Sequence, residues 1–349
     1  MSTSHEIYIK RCIELAQNGL GTTYPNPLVG SVIVHNGIII GEGWHRKAGE
    51  PHAEVIAINS VKDKSLLKKS TIYVSLEPCS HFGKTPPCAD LIIEHKIPKV
   101  AIGTIDPFAK VCGNGITKLK NAGVDVQVGF LKTECTELNK RFFTFHQKKR
   151  PYIILKWAQT QNGFIAPWQK KEVKPVWISN TFSRQLTHKW RAEEQAIMVG
   201  TNTVLQDNPK LDVRNWTGEN PIRIVIDKTL KIPSDFSVYD KSVKTIFITE
   251  KKQLSTHENL LFETIDFNKN VCIEILKALY KHQIQSVIIE GGKILLESFI
   301  QNNLWDEARI FTSDLVFENG IKAPEFNTSS KPKAYKILND TLEYFYNEV

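Results

Sequence analysis

Short β-branched runs recur along this chain, alternating with segments of helical spacing, and that alternation restricts the possible fold more than any other feature. "VGSVIVHNGIIIGEGWH" holds two such runs around Asn36-Gly37, a dipeptide that strongly favours a tight hairpin. "STIYVSLEP", "KVAIGTID" and "VDVQVGF" follow as strands, interleaved with the helical segments "HAEVIAINSVKD", "CADLIIEHKI" and "GNGITKLKNAG". Ahead of them, Ile7, Ile9, Ile13 and Ala16 share one side of a helix that Gly19 and Gly21 end. This order predicts an α/β layered domain with a largely parallel core. The pattern restarts after Lys148, Lys149, Arg150 and Pro151, through "PYIILKWA", a helix near Ser183–Trp190, "QAIMVG", "PIRIVID", "TIFIT", the helix "CIEILKALYKH", "SVIIEGG" and "ARIFTSDLVF". At 349 residues the chain is too long for one ordinary core, so two α/β domains are expected, 1–147 and 148–349.

A composition of 41% hydrophobic and 23% charged residues is that of a globular chain, and "MSTSHEIYIKRC" lacks the apolar core of a signal peptide. His35, Asn36 and Gly37 interrupt the most apolar stretch nearby, which suits two strands and a turn better than a membrane span. The expectations are a cytoplasmic location, no membrane partner and reduced cysteines. Cys12, Cys112, Cys135 and Cys272 have no evident partner and read as small core residues. The net charge of +8 favours acidic partners such as nucleic acid, phosphorylated metabolites or a phosphate-bearing cofactor, although a merely lysine-rich composition yields the same charge. No stripe of interleaved basic and aromatic residues marks an RNA-binding surface, so no nucleic-acid partner is expected.

Chemistry concentrates in "GEPHAEVIA" and "SLEPCSHFGKTPPC". His52, Cys79 and Cys88 offer the imidazole and two thiolates that a catalytic zinc takes from protein, leaving a fourth position for water whose pKa the metal lowers. Glu54, in the first turn of the helix that His52 opens, can reach that water without binding the metal, as a proton shuttle must. With His81 as a fourth ligand the same residues would instead form a closed structural site; a Cys79–Cys88 disulfide is disfavoured in a reducing compartment. His-Ala-Glu at a helix start, with Pro-Cys after a strand, is a zinc-deaminase signature, in which hydroxide attacks an amino-bearing ring carbon. That signature has two residues between its cysteines, and this chain has eight.

"TTYPNPLVGSVIV", "AGEPHAEVIA" and "LEPCSHFGKTPPCADLII" together resemble the deaminase half of the bifunctional deaminase/reductase family of riboflavin biosynthesis, RibD, over residues 6–130. The long insert between the cysteines is more similar to that family than to cytidine or tRNA deaminases. The resemblance implies a cytidine-deaminase-like three-layer α/β/α fold, with Asn26 on the pyrimidine and His81 and Lys84 on the substrate's ribose phosphate. A lysine in a proline-stiffened loop is a preorganised phosphate partner; as a solvated surface charge Lys84 would need no such role. His45 either lines this pocket or caps a strand end.

"PYIILKWAQTQNGFIA", "WISNTFSRQLTHKWRAEEQAIMVGTNTVLQDNPKLDVR", "PIRIVID" and "IIEGGKILLESFI" resemble the reductase domain of the same family, from residue 151 nearly to the end. That resemblance implies a dihydrofolate-reductase-like α/β fold that uses NADPH. Carried over by position, Ala158, Trp177, Thr203, Asp207, Gly292, Lys293, Ile294, Leu295, Leu296, Glu297 and Ser298 line the NADPH site, with Lys228 as a cation for a cofactor phosphate. Lys156, Pro175, Arg191, Leu211, Arg214 and Glu290 would hold the substrate. Lys156 and Glu290 form the catalytic pair that positions the sugar, and the two arginines suit phosphate by their fork geometry. Read without the resemblance, Gly291-Gly292 between a strand and a helix lets backbone amides approach a phosphate, but a plain tight turn has the same residues.

Three positions depart from the family pattern. Asn162-Gly163 stands where Asp-Gly is common, removing a charge expected near the nicotinamide end; Pro175 replaces a substrate-binding serine, and Lys228 a small polar residue. The implied activity is zinc-dependent hydrolytic deamination of 2,5-diamino-6-(5-phosphoribosylamino)pyrimidin-4-one. NADPH-dependent reduction of the ribosyl chain would follow, giving 5-amino-6-(5-phosphoribitylamino)uracil, in an enzyme expected to form homo-oligomers. The other reading of the residues is a tRNA-type nucleic-acid deaminase with an RNA-binding second domain.

Overall fold

Asn36 (φ 49°) and Gly37 (φ 79°) supply the two left-handed residues that a tight hairpin needs between β1 (Gly30–His35) and β2 (Ile38–Trp44). The computed structural model describes residues 4–80, 86–108, 112–170, 172–255, 257–328 and 331–347, which divide into two units, Met1–Lys149 and Arg150–Val349. Among the described residues no helix is long and apolar enough to cross a membrane.

The first unit adds α1 (Ser4–Gln17), α2 (Ala53–Ser60), β3 (Thr71–Leu76), α3 (Cys88–Glu94), β4 (Lys99–Thr104), α4 (Asn114–Asn121), β5 (Asp125–Val128), α5 (Lys132–Leu138) and α6 (Lys140–Lys148). Its sheet has the order β2-β1-β3-β4-β5. The expectation of a largely parallel core needs correction. β3, β4 and β5 are parallel, but β1 is antiparallel to both of its neighbours. The cause is the hairpin: α2 carries the chain from β2 to the parallel strand β3, and β1, turned back on β2, fills the gap between them.

Strand alternation sorts the first core into two faces. Ile33, Ile72, Val74, Val100 and Ile102 meet residues of α2, α3 and α4 such as Ala57, Ile58, Ala89, Ile92 and Leu119. Val32, Val34, Tyr73 and Ala101 point the other way, onto Ile9, Cys12 and Leu15 of α1 and Cys135 of α5. Helices therefore cover both faces, which is the three-layer arrangement. Cys12, Cys135 and Cys272 are buried as core residues should be; Cys112 is exposed, because the loop before α4 offers it no core.

The second unit contains β6 (Tyr152–Gln159), β7 (Phe164–Pro167), α7 (Thr181–Glu193), β8 (Ala196–Gly200), α8 (Thr201–Asp207), β9 (Ile222–Ile226), β10 (Thr245–Thr249), β11 (Leu260–Thr264) and α9 (Val271–Lys281). It continues with β12 (Ser286–Ile289), α10 (Lys293–Gln301), β13 (Glu307–Thr312), β14 (Gly320–Lys322), β15 (Lys333–Ile337) and β16 (Asp340–Tyr346). The main sheet runs β11-β10-β9-β8-β12-β6-β13-β16-β15, parallel from β11 to β13 and antiparallel over β13, β16 and β15. Ile153, Leu155, Met198, Val287 and Ile289 face α9 and α10, while Ile154 and Ile288 face Trp190 of α7. Asn180 caps α7, its side-chain oxygen accepting from the N–H groups of Phe182 and Ser183 at 3.0 Å each.

Candidate active sites

In the first unit the candidate metal ligands come from three separate chain segments. His52 caps α2, Cys79 follows β3, and Cys88 begins α3. His52 Nδ1 lies 3.2 Å from Cys88 Sγ and 3.5 Å from Cys79 Sγ, and all three ligand atoms fall within 4.8 Å of one another. A zinc ion bonds imidazole nitrogen at about 2.0 Å and thiolate at about 2.3 Å, so one ion fits between these donors. Hydrogen bonding with Cys88 and with His52 lowers the Cys79 thiol, which favours the thiolate that a metal ligand must present.

Glu54 sits in the first turn of α2 and is 3% exposed. Burial pushes its carboxyl up to about 7 against the opposing pull of His52, which suits a group that must both accept and release a proton near neutrality. Nearby, His45 Nδ1 is 3.2 Å from the Pro51 carbonyl, which can only accept, so that nitrogen carries the proton. Its Nε2 then accepts from the Asn26 side-chain amide at 3.0 Å, leaving the Asn26 carbonyl oxygen as the free end. His45 is thus a buried orienter of Asn26 and not a strand cap. His81 and Lys84 lie outside the described residues.

Glu77, absent from the sequence reading, anchors the segment that carries Cys79. Its buried carboxylate accepts from four backbone N–H groups, Asp106 (3.3 Å) and Gly113 (3.0 Å) on Oε2, Gly115 (2.9 Å) and Ile116 (3.3 Å) on Oε1. Gly115 approaches so closely that a Cβ there would sit 2.1 Å from the Pro78 carbonyl oxygen. The N-terminus of α4 thereby clamps Glu77-Pro78-Cys79 in place. Sequence gave no signal for this, since Glu77 and Gly115 meet only after β4 has paired with β3.

The second unit has a cavity of about 810 Å³ over the ends of its parallel strands. It brings together Lys156, Ala158, Pro175, Trp177, Arg191, Thr203, Asp207, Leu211, Arg214, Glu290, Gly292, Lys293 and Leu296 from the expected set. It does not take in Lys228, Ile294, Leu295, Glu297 or Ser298. Only one face of α10 turns inward, at Lys293 and Leu296, while Ile294 is exposed and Leu295 packs on the core. Lys228 instead pairs with Glu250 at 3.5 Å. Gly292 (φ 59°, ψ 135°) opens α10, and a Cβ on Gly291 would come 3.0 Å from Thr203 Oγ1, so these glycines leave a cradle that a side chain would fill. That cradle at a helix start fits a phosphate-bearing cofactor.

Arg191, on the cavity wall, is paired with Glu290. Its Nη2 donates to Glu290 Oε2 at 2.7 Å and its Nε to Oε1 at 3.3 Å, so the fork is taken by a carboxylate of the same wall. Burial raises the Glu290 carboxyl, but Arg191 and Lys156 outweigh it and hold the group ionised. Burial loosens the proton on Lys156, and Glu290 holds it back. The sequence reading also missed Lys170, which pairs with Asp207, and Arg184 and His188. The last two share the stripe of α7 that carries Arg191, a helical spacing visible once Arg191 is singled out. Asn162 is outside the cavity: its amide donates to the Phe317 carbonyl at 2.7 Å while its oxygen accepts from the Phe317 N–H at 3.3 Å and from Thr160 at 2.8 Å.

The family model for the cytidine and deoxycytidylate deaminase zinc-binding region matches residues 2–104, and that for the RibD C-terminal domain matches residues 151–317. The molecule is therefore a zinc-binding deaminase domain fused to a reductase domain. Among relatives, the riboflavin biosynthesis protein RibD of Aquifex aeolicus is 38% identical, over 96% of this chain and 94% of its own. That of Actinobacillus pleuropneumoniae is 43% identical over 85% and 81%. A solved Thermotoga maritima structure is described as a diaminohydroxyphosphoribosylaminopyrimidine deaminase/5-amino-6-(5-phosphoribosylamino)uracil reductase. It superposes with a TM-score of 0.86 at 36% identity, covering 98% of each chain; Acinetobacter baumannii RibD gives 0.87 at 30% identity and the same coverage. The chain belongs to the RibD family of bifunctional deaminase/reductases of riboflavin biosynthesis. Its cofactors are Zn²⁺ in the deaminase domain and NADPH in the reductase domain.

Proposed function

We propose that the domain spanning 1–147 hydrolyses the 2-amino group of 2,5-diamino-6-(5-phosphoribosylamino)pyrimidin-4-one, releasing ammonia. The domain spanning 148–349 then reduces the ribosyl chain of the product to give 5-amino-6-(5-phosphoribitylamino)uracil. The observation that carries this reading is the buried Glu54 beside a three-donor set, His52, Cys79 and Cys88, which no fourth donor joins among the described residues. Zinc, when bound, supplies the acidity that makes water a nucleophile at neutral pH. Glu54 protonates a ring nitrogen as water adds to the carbon, then delivers a proton to the departing amine. Asn26, turned by His45, presents its carbonyl oxygen to the pyrimidine.

In the second domain NADPH, when bound, would supply the hydride for reduction of the sugar at C1′. Lys156 and Glu290 position the sugar chain, with Arg191 fixing the Glu290 carboxylate. Arg214, whose Nη1 pairs with Asp212 while the rest of its partly exposed guanidinium stays on the cavity wall, meets the substrate phosphate. The test is incubation of the zinc-loaded protein with the diaminopyrimidine, with and without NADPH. Ammonia should appear in both cases, and NADPH should be oxidised one for one. Glu54→Gln should abolish ammonia release with zinc retained, yet still oxidise NADPH when given the aminouracil substrate. Ammonia release by this variant at the wild-type rate would refute the role of Glu54.

A further inference from the structure

His188 lines the reductase cavity from α7, is 3% exposed, and has no part in the reaction outlined above. Its Nδ1 lies 3.0 Å from the Asp212 carbonyl oxygen. A carbonyl cannot donate, so we assign the hydrogen to Nδ1 on this shorter contact, over the tautomer in which Nδ1 accepts from the Arg214 backbone N–H at 3.4 Å. Arg191 Nη1 donates to the same carbonyl at 3.3 Å, so the turn after Leu211, a leucine in the left-handed region (φ 53°), is pinned from two sides. Nε2 has no hydrogen-bond partner among the described residues, and it is not a sealed atom.

Burial, with Arg191 and Arg214 close by, holds the His188 imidazole down to about 4, so at neutral pH the ring is uncharged and Nε2 offers a lone pair. The surrounding wall is otherwise rich in donors: Lys156, Arg184, Arg191, Arg214 and Lys293 accept nothing. Each Glu290 oxygen accepts one bond from Arg191 and one Asp207 oxygen is engaged by Lys170, so hydroxyl acceptors on this wall are confined to the remaining carboxylate lone pairs, a few neutral side chains such as Asn202 and Gln206, and His188 Nε2. A sugar chain carries hydroxyl hydrogens that need acceptors, whereas a phosphate needs only donors.

We propose that His188 is a substrate-contacting residue whose Nε2 accepts a hydrogen bond from a hydroxyl of the ribosyl chain and so selects a polyol over a deoxygenated sugar. This deepens the reductase reading and rests on it. The contact would be lost with any substrate that lacks the hydroxyl it accepts, which separates it from the loop-pinning role of Nδ1.

His188→Asn tests it, because the asparagine amide can occupy the Nδ1 position and donate to Asp212 while leaving nothing at Nε2. The wild type and the variant are compared for thermal stability, NADPH affinity and steady-state reduction of the aminouracil substrate and of its 2′-deoxy and 3′-deoxy analogues. The expected result is unchanged melting and NADPH binding, with kcat/KM on the full substrate lowered about tenfold. One of the deoxy analogues should cost the wild type a similar factor and the variant almost nothing. Equal losses in both enzymes for every analogue, or wild-type kinetics in His188→Asn, would overturn the assignment. If the wild type itself oxidises no NADPH with the aminouracil, the reductase reading fails first and this inference falls with it.

Discussion

Asn162→Asp restores the charge that the family pattern led us to expect near the nicotinamide, and the structure predicts that it harms the protein without touching catalysis. An aspartate keeps both hydrogen bonds that Oδ1 accepts, from Thr160 Oγ1 (2.8 Å) and the Phe317 N–H (3.3 Å). It loses the bond from Nδ2 to the Phe317 carbonyl and sets a carboxylate oxygen against that carbonyl, where 2.7 Å now separates donor and acceptor. One lost hydrogen bond is about 1 kcal/mol. Repulsion between the two oxygens adds to it, but the residue is exposed, so solvent and a small rotation hold the sum to about 1–2 kcal/mol. For a domain of this size that lowers Tm by about 2–8 °C. Calorimetry should show the reductase transition falling by that amount while the deaminase transition stays put. NADPH affinity from tryptophan fluorescence and kcat should change less than about twofold, since Asn162 lies outside the cavity. A variant with unchanged Tm and tighter NADPH binding or faster turnover would refute the reasoning, and would mean that residue 162 faces the cofactor.

Glu77→Gln turns an amide NH₂ towards two of the four backbone donors that the carboxylate now satisfies; zinc affinity, measured by chelator competition, should fall about 10–100-fold as Cys79 loses its anchor. Gly292→Ala forces a side chain into a backbone shape (φ 59°, ψ 135°) that only glycine holds without strain, so NADPH Kd should rise about tenfold with ammonia release intact. His146, among Phe108, Phe142 and Phe145, is held by burial down to about 4, below its ordinary 6.5. The unfolded chain therefore binds this proton more readily, and the first domain loses stability as pH falls from 6.5 towards 4. His146→Leu should raise the urea midpoint relative to wild type at pH 5 and leave the difference between them smaller at pH 8.

Local pattern carried the class of fold, the hairpin at Asn36-Gly37 and the elements that bear His52, Glu54, Cys79 and Cys88, because period, turn residues and helix starts are properties of neighbouring residues. The ligand types and their spacing were enough to expect zinc, and motif resemblance was enough to name the family. What sequence could not supply is whatever depends on residues far apart in the chain. The orientation of β1 between β2 and β3 follows from strand pairing. The hairpin strand β15 is exposed over four of its five residues, and only Ile337 reaches the core. The Phe317 partner of the Asn162 amide and the Glu290 carboxylate in the fork of Arg191 are likewise contacts between residues far apart in the chain. Which residue types stand at a site is written locally, whereas the hydrogen-bond partner each of them takes is set by packing between elements, and that partner decides its charge, its orientation and its role.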